Sequence, residues 1–322
     1  MAARTALARG ALAAAVLAWG AVHTAAPTVR HWHRGSGTTR SAGRLQVRVL
    51  PGPGDLVLVL LHGMAGSGDY FGDDFDALAR HGTVVIPDLL GFGRSRLAVG
   101  APTDAADHLA ALDGMLLALG LAEKPLALVG HSMGSVLALR WAARRPAQVR
   151  TLVMLSAPLY LTPTEARERI AKMGLFEAAL AGTGAAPRLA CAAMCRFRRS
   201  AAVVATLILP QLPLRVATMA VQHTWTSYRT AMDQLIRDQS WQDAWALLER
   251  EGVPRVLGNG GRDPVPAPGR AESLVAASAA SATGATAVLH YQPDANHHLP
   301  LSHGRWCADL VTTALASGPD RT

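Results

Sequence analysis

The chain has 322 residues, of which 50% are hydrophobic, 17% charged and 5% aromatic. That much apolar material excludes a disordered chain, and aperiodic glycine and proline with only three cysteines exclude collagen-like, coiled-coil and disulfide-dense scaffolds. The net charge of +8 is concentrated, because residues 1–54 hold seven arginines and no acid and so leave residues 55–322 at +1; a nucleic-acid binder carries its basic stripe on the folded domain, so nucleic acid is not an expected partner.

Residues 1–43 read as a basic, alanine-rich leader followed by a linker. Arg4 and Arg9 precede an uncharged run from Gly10 to Val22 and then Thr24-Ala25-Ala26. A charged start, a short apolar run and small residues resemble a secretory signal or an anchor, which would put the chain outside the cytoplasm or on a membrane. The run is shorter than the roughly 20 residues of a span, and alanine is a strong helix former. An ordinary N-terminal helix in a cytoplasmic protein is therefore equally open. His31, Trp32 and His33 are expected in a solvated linker.

Leu45–Leu50 is predicted as an edge strand, followed by a turn at Pro51-Gly52-Pro53-Gly54. The run at 56–61 is continuously apolar, as a strand buried on both faces of a parallel sheet requires. Similar runs recur at 83–87, 126–129, 151–155, 254–257 and 287–290, with helical stretches at 73–80, 104–119, 135–144, 271–280 and 305–315 between them. The alternation predicts an α/β fold with a doubly wound, mostly parallel sheet. About 95 residues separate the strands at 151–155 and 254–257, too many for a structureless loop. They are predicted to be an inserted helical cap over 159–244, dividing a core of 44–158 and 245–322. Such a cap would roof the C-terminal edge of the sheet, where ligands of open α/β sheets bind.

The strand at 126–129 runs into Gly130-His131-Ser132-Met133-Gly134 and then a helix. This is G-x-S-x-G in its strand–turn–helix setting, where a strained turn lifts the serine hydroxyl to the top of the sheet. A plain helix N-cap is the bland alternative for Ser132. A serine nucleophile needs a base, and the base needs a carboxylate to hold its tautomer. Asp263, just past the strand at 254–257, and His297, just past the last strand, supply both in the order Ser, Asp, His. The neighbouring His298 is the alternative base, and a turn-forming role before Pro264 is the alternative for Asp263. Backbone N–H groups of Met64 and Met133 are the candidates for an oxyanion hole.

These segments resemble the α/β-hydrolase fold family over roughly residues 45–316: HGMAGSGDYF at 62–71, PDLLGFGRS at 87–95, GHSMGS at 130–135, GNGGRDPVP at 258–266 and ANHHLPL at 295–301. The resemblance implies Ser132 as nucleophile, Asp263 as acid, His297 as base, and Met64 and Met133 as oxyanion donors. One departure is Asn296, where the family commonly has glycine. His62 is expected to organise the oxyanion loop, and Asp88 and Ser95 to brace a neighbouring one.

The expected activity is that of a serine hydrolase forming an acyl-enzyme, with a small-molecule carboxylic ester as substrate. A carbon–carbon bond hydrolase of the same fold and an inactive binding protein are the alternatives. No cofactor is implied. No metal site is expected either, since Cys191 and Cys195 lack a CxxC pair or a histidine beside them. Contact between the leader and an anionic membrane is the remaining partner expectation. Trp225, Tyr228, Phe176, Leu180 and Met219 are candidates for the lining of a substrate pocket and equally for helix packing; Arg196, Arg198 and Arg199 are expected on an exposed basic face.

Overall fold

A computed structural model describes residues 2–101, 103–173, 184–281 and 286–317. The strands are β1 (Thr38–Ala42), β2 (Leu45–Leu50), β3 (Val57–Leu61), β4 (Thr83–Pro87), β5 (Leu126–His131), β6 (Val149–Leu155), β7 (Arg255–Gly260) and β8 (Ala287–Gln292). They form one sheet in the order β1-β2-β4-β3-β5-β6-β7-β8. The β1–β2 and β2–β4 pairings are antiparallel and the other five parallel.

The apolar run of β3 explains why the sheet is covered on both sides. Successive side chains of a strand point to opposite faces. Val57, Val59 and Leu61 join one core cluster and Leu58 and Leu60 the other. Helices α3 (Ala105–Leu119) and α4 (Met133–Arg144) contribute Leu109, Leu112, Val136 and Leu137 to the first cluster. The last helix, α13 (Gly304–Ser317), and a 3-10 run at Asp73–Arg80 contribute Leu310, Val311, Phe75 and Leu78 to the second. Each fully buried leucine of this kind stabilises the fold by about 2 kcal/mol relative to exposure.

Between β6 and β7 lie α5 (Pro163–Ala171), α6 (Ala185–Arg196), α7 (Arg198–Ile208), α8 (Leu214–Ala220) and α9 (Trp225–Ala231), the last running into a π-helical turn at Met232–Ile236. The next helix, α10 (Trp241–Arg250), packs on α4 and so flanks the sheet. The remaining helices are α1 (Ala2–Ala25), α2 (Pro27–Arg30), α11 (Arg270–Ala279) and α12 (Leu299–Ser302).

Two local expectations change. The segment read as a linker contains β1, so Leu45–Leu50 is not the edge strand. Its sequence, Thr-Thr-Arg-Ser-Ala, is polar and four of its five residues are exposed, which leaves no hydrophobic period to read. It forms because Ala42 and Leu45 pair across a two-residue loop in which Gly43 has φ +57°. Trp32 is likewise not solvated. Its indole N–H donates to the Asp69 carbonyl at 3.1 Å, and its ring packs beside Leu212, Val216 and Leu301. His33 stays exposed, with its carbonyl accepting from Asp73 N at 3.0 Å.

The leader forms α1, and no described helix is long and apolar enough to cross a membrane. The Trp19 indole donates to the Thr206 carbonyl at 3.1 Å, His23 Nδ1 lies 2.8 Å from the Pro210 carbonyl, and Thr28 bonds the Gln211 carbonyl.

Candidate active site

Ser132 sits between β5 and α4 with φ +53° and ψ −122°, a conformation that costs a non-glycine residue about 1–3 kcal/mol. The chain holds it there by leaving no room for relaxation. A Cβ on Gly130 would overlap the Gly134 carbonyl, and one on Gly134 would overlap the carbonyls of Leu61 and His62. Ser135 Oγ ties the turn down by donating to the Gly130 carbonyl at 2.7 Å, and Ser132 N donates to the Leu155 carbonyl at 2.9 Å. The Ser132 side chain makes no capping bond to α4. Its Oγ instead lies 3.0 Å from His297 Nε2.

On the other edge of that imidazole, Nδ1 lies 3.0 Å from Asp263 Oδ2 and 3.2 Å from Oδ1. The Asp263 side chain is fully buried and accepts from Val265 N at 2.8 Å. Burial pushes this carboxyl up, but the charge and hydrogen bond of His297, with the Ser156 hydroxyl and the Val265 N–H, hold it below its ordinary value. Asp263 is thus an ionised carboxylate hydrogen-bonded to His297 and to Val265 N. Three non-glycine residues have positive φ among the described residues: Ala65, Ser132 and Ser156. They fall on the loop after β3, the elbow, and the residue facing Asp263, so the backbone strain is gathered at one place.

His298 points elsewhere. Its Nδ1 lies 2.8 Å from the Tyr70 hydroxyl, and burial with the nearby His297 lowers its pKa to about 4. His131, the residue before the serine, bonds through Nε2 to the His297 carbonyl at 2.8 Å and stacks on Tyr70. Burial holds it neutral, so Nε2–H donates and Nδ1 is unprotonated. Neither His131 nor Tyr70 was singled out in the sequence; the variable position of G-x-S-x-G gives no signal of this kind.

The loop after β3 approaches the elbow closely. A Cβ on Gly63 would meet Ser132 Cβ at 3.1 Å. His62 is buried and neutral, accepts from Leu89 N at 2.9 Å through Nε2, and donates from Nδ1 to the Gly63 carbonyl at 2.7 Å. Asp88 accepts from Gly68 N and Arg94 N, each at 2.7 Å, and Ser95 Oγ accepts from Gln46 N at 2.8 Å. Met64 N follows Gly63 directly. Met133 N is the first amide of α4, one of those that a helix leaves without an internal acceptor.

Above the serine lies a cavity of about 160 Å³, bounded by Met64, Tyr160, Ile170, Leu209, Leu212 and Val216 among others. Tyr228 lines it; Trp225 and Met219 do not, and Phe176 and Leu180 lie outside the described residues. No Asp, Glu, Lys or Arg is among the described lining residues. Arg198 turns inward to the carbonyls of Val221 and His223 at 3.2 and 3.1 Å, whereas Arg196 and Arg199 are exposed. The described residues contain no group of three His, Cys, Asp or Glu able to hold a metal, and Cys191, Cys195 and Cys307 are free thiols.

Sheet order, elbow and flanking helices define the class as an alpha/beta hydrolase fold, and residues 57–189 match the profile of the alpha/beta hydrolase fold family. It is 32% identical over 136 residues to RutD of Klebsiella pneumoniae, a protein named for carbamate hydrolysis; the match covers 41% of this chain and 50% of that protein. Lipase LipV of Mycobacterium tuberculosis is 39% identical over 90 residues, 28% of this chain and 33% of the lipase. The chain thus spans half or less of these curated relatives. Among solved structures, a hydrolase from Pseudomonas aeruginosa superposes with a TM-score of 0.61 at 20% identity, covering 88% of this chain and 99% of that one.

Proposed function

We propose that the chain is a serine hydrolase that cleaves carboxylic esters with small, uncharged, apolar acyl groups. The observation that carries the reading is the continuous relay Asp263–His297–Ser132, with donor–acceptor distances of 3.0 Å at both joints. His297 Nε2 takes the proton of Ser132 Oγ as the oxygen attacks the ester carbonyl, and Asp263 stabilises the imidazolium. The N–H groups of Met64 and Met133 donate to the oxyanion, each worth about 3 kcal/mol of barrier. His297 then passes its proton to the leaving alkoxide, which departs as the alcohol. A water activated by the same nitrogen cleaves the acyl-serine, returning carboxylic acid and free enzyme.

The cavity sets the substrate class. At about 160 Å³ it resembles in size a site that takes a benzene-sized group, and its apolar lining favours a neutral acyl chain. The carbon–carbon hydrolase alternative requires a diketone acid, whose carboxylate would meet no cation among the described lining residues.

The test is hydrolysis of p-nitrophenyl esters of graded chain length by wild type and Ser132→Ala. The wild type is expected to prefer short acyl groups, and the variant to lose at least about 10⁴-fold in kcat/KM. Equal inertness of both, with no labelling of Ser132 by a fluorophosphonate, would remove the esterase reading and leave the carbon–carbon hydrolase or an inactive binding protein.

A further inference from the structure

Helix α7 packs on the cavity-lining α8 and α6 packs on α7, and the outer face of α6 and α7 is apolar where a soluble surface would be polar. On α7, Val203, Val204, Leu207 and Ile208 recur at i, i+1, i+4 and i+5, one stripe of a helix, and are 50–60% exposed. Phe197, at the junction with α6, is 60% exposed and Leu189 on α6 is 68% exposed. The α1 helix lies against this face through the Trp19–Thr206 and His23–Pro210 contacts and adds Leu12, Val16 and Leu17, all at least 60% exposed. Clusters of large exposed apolar side chains of this kind mark interaction sites.

Charge identifies the partner. Residues 184–232 contain Arg188, Arg196, Arg198, Arg199, Arg215 and Arg229 and no acid, and residues 1–54 contain seven arginines and no acid. Both of these acid-free stretches contribute to this face. Arg188, Arg196 and Arg199 are exposed beside its apolar side chains. Apolar residues flanked by exposed arginines match the interface of an anionic bilayer, where acyl chains lie beneath negative headgroups.

One residue of the cavity lining, Gln211, adjoins the same face. Of the described lining residues only Gln211 is exposed. Its backbone carbonyl receives Thr28, and Leu209 and Leu212 on either side of it form part of the wall. We propose that α1, α6 and α7 form one surface that docks on anionic membranes, setting the Gln211 side of the cavity against the bilayer. Docking stands independently of the chemistry; that substrate esters enter from the membrane rests on the hydrolase reading.

The test is flotation of the full chain with vesicles of phosphatidylcholine alone and of phosphatidylcholine with an equal part of phosphatidylglycerol. Binding is expected only to the second, and to weaken with salt. Arg196→Ala with Arg199→Ala is expected to lower the partition coefficient about 30-fold, and Val203→Glu with Leu207→Glu to abolish binding. Both variants are expected to hydrolyse a water-soluble short-chain ester at the wild-type rate, which also reports that they fold. Equal or absent binding to the two vesicle types overturns the proposal. So does a dimer in sedimentation that Val203→Glu with Leu207→Glu dissociates, since a second copy would then cover the face. A chain that floats but turns over no ester retains docking and loses the hydrolase reading; turnover without flotation does the reverse.

Discussion

The hydroxyl of Tyr70 lies 2.8 Å from Nδ1 of His298, and that contact separates two adjacent histidines into different jobs. Burial keeps the Tyr70 phenol protonated, so it donates to a neutral His298. His297 is left facing Ser132 and Asp263. His297→Gln is therefore expected to lower kcat/KM by at least about 10³-fold. His298→Gln should cost under tenfold, because glutamine can still accept from Tyr70. Comparable losses in the two variants, measured on one ester, would contradict the assignment.

Gly134 lets the elbow pack against the end of β3. A methyl there overlaps the carbonyls of Leu61 and His62, neither of which can swing aside. Gly134→Ala is expected to destabilise the fold by about 3 kcal/mol or more, read as a shift in the urea midpoint. A near-native midpoint would show that the strand and helix tolerate separation.

His108 is buried in α3, and neither ring nitrogen has a hydrogen-bond partner among the described residues. Burial lowers its pKa from 6.5 to about 4. A depressed base costs nothing above 6.5, where both states are neutral. As pH falls from 6.5 to about 4 the unfolded chain binds a proton that the fold refuses, and stability drops by on the order of 3 kcal/mol. His108→Leu should remove that acid-side loss and raise stability by about 1 kcal/mol or more at neutral pH. Denaturant melts at pH 7.5 and 4.5 check both halves; an unchanged difference between them would refute it.

Asp69 joins the roof to the core. Its carboxylate accepts from Arg94 Nη2 at 2.5 Å and from Arg215 Nε, on α8, at 2.9 Å. Arg215 is partly exposed, so its loss should cost the whole fold under about 1 kcal/mol. The local effect is expected to be larger: Arg215→Ala should raise the rate of limited proteolysis between α6 and α9 several-fold with little change in Tm. A Tm drop without faster cleavage would mean the ion pair supports the core instead.

The parts of the site that were legible are those set by neighbours in the chain. The elbow was readable because G-x-S-x-G needs its flanking strand and helix within a few residues, and Asp263 and His297 because each lies in the loop that follows an apolar run. What stayed hidden was decided by long-range contact. β1 carries no hydrophobic period and exists only through its pairing with β2. His297 was preferred over His298 as the base, but the partner that takes His298 away was not visible, because Tyr70 is 228 residues from it.

By itself, then, the sequence determined that a parallel sheet buried on both faces would carry Ser132 on a strained turn, with Asp263 and His297 delivered from beyond later strands. Periodicity and turn chemistry are local, and local order suffices for that. Tertiary structure alone decided that His298 goes to Tyr70, that the cavity lining is uncharged among the described residues, and that α1 meets α7 through Trp19 and Thr206. Each of these depends on which surfaces meet when remote segments pack, and chain spacing holds no record of it.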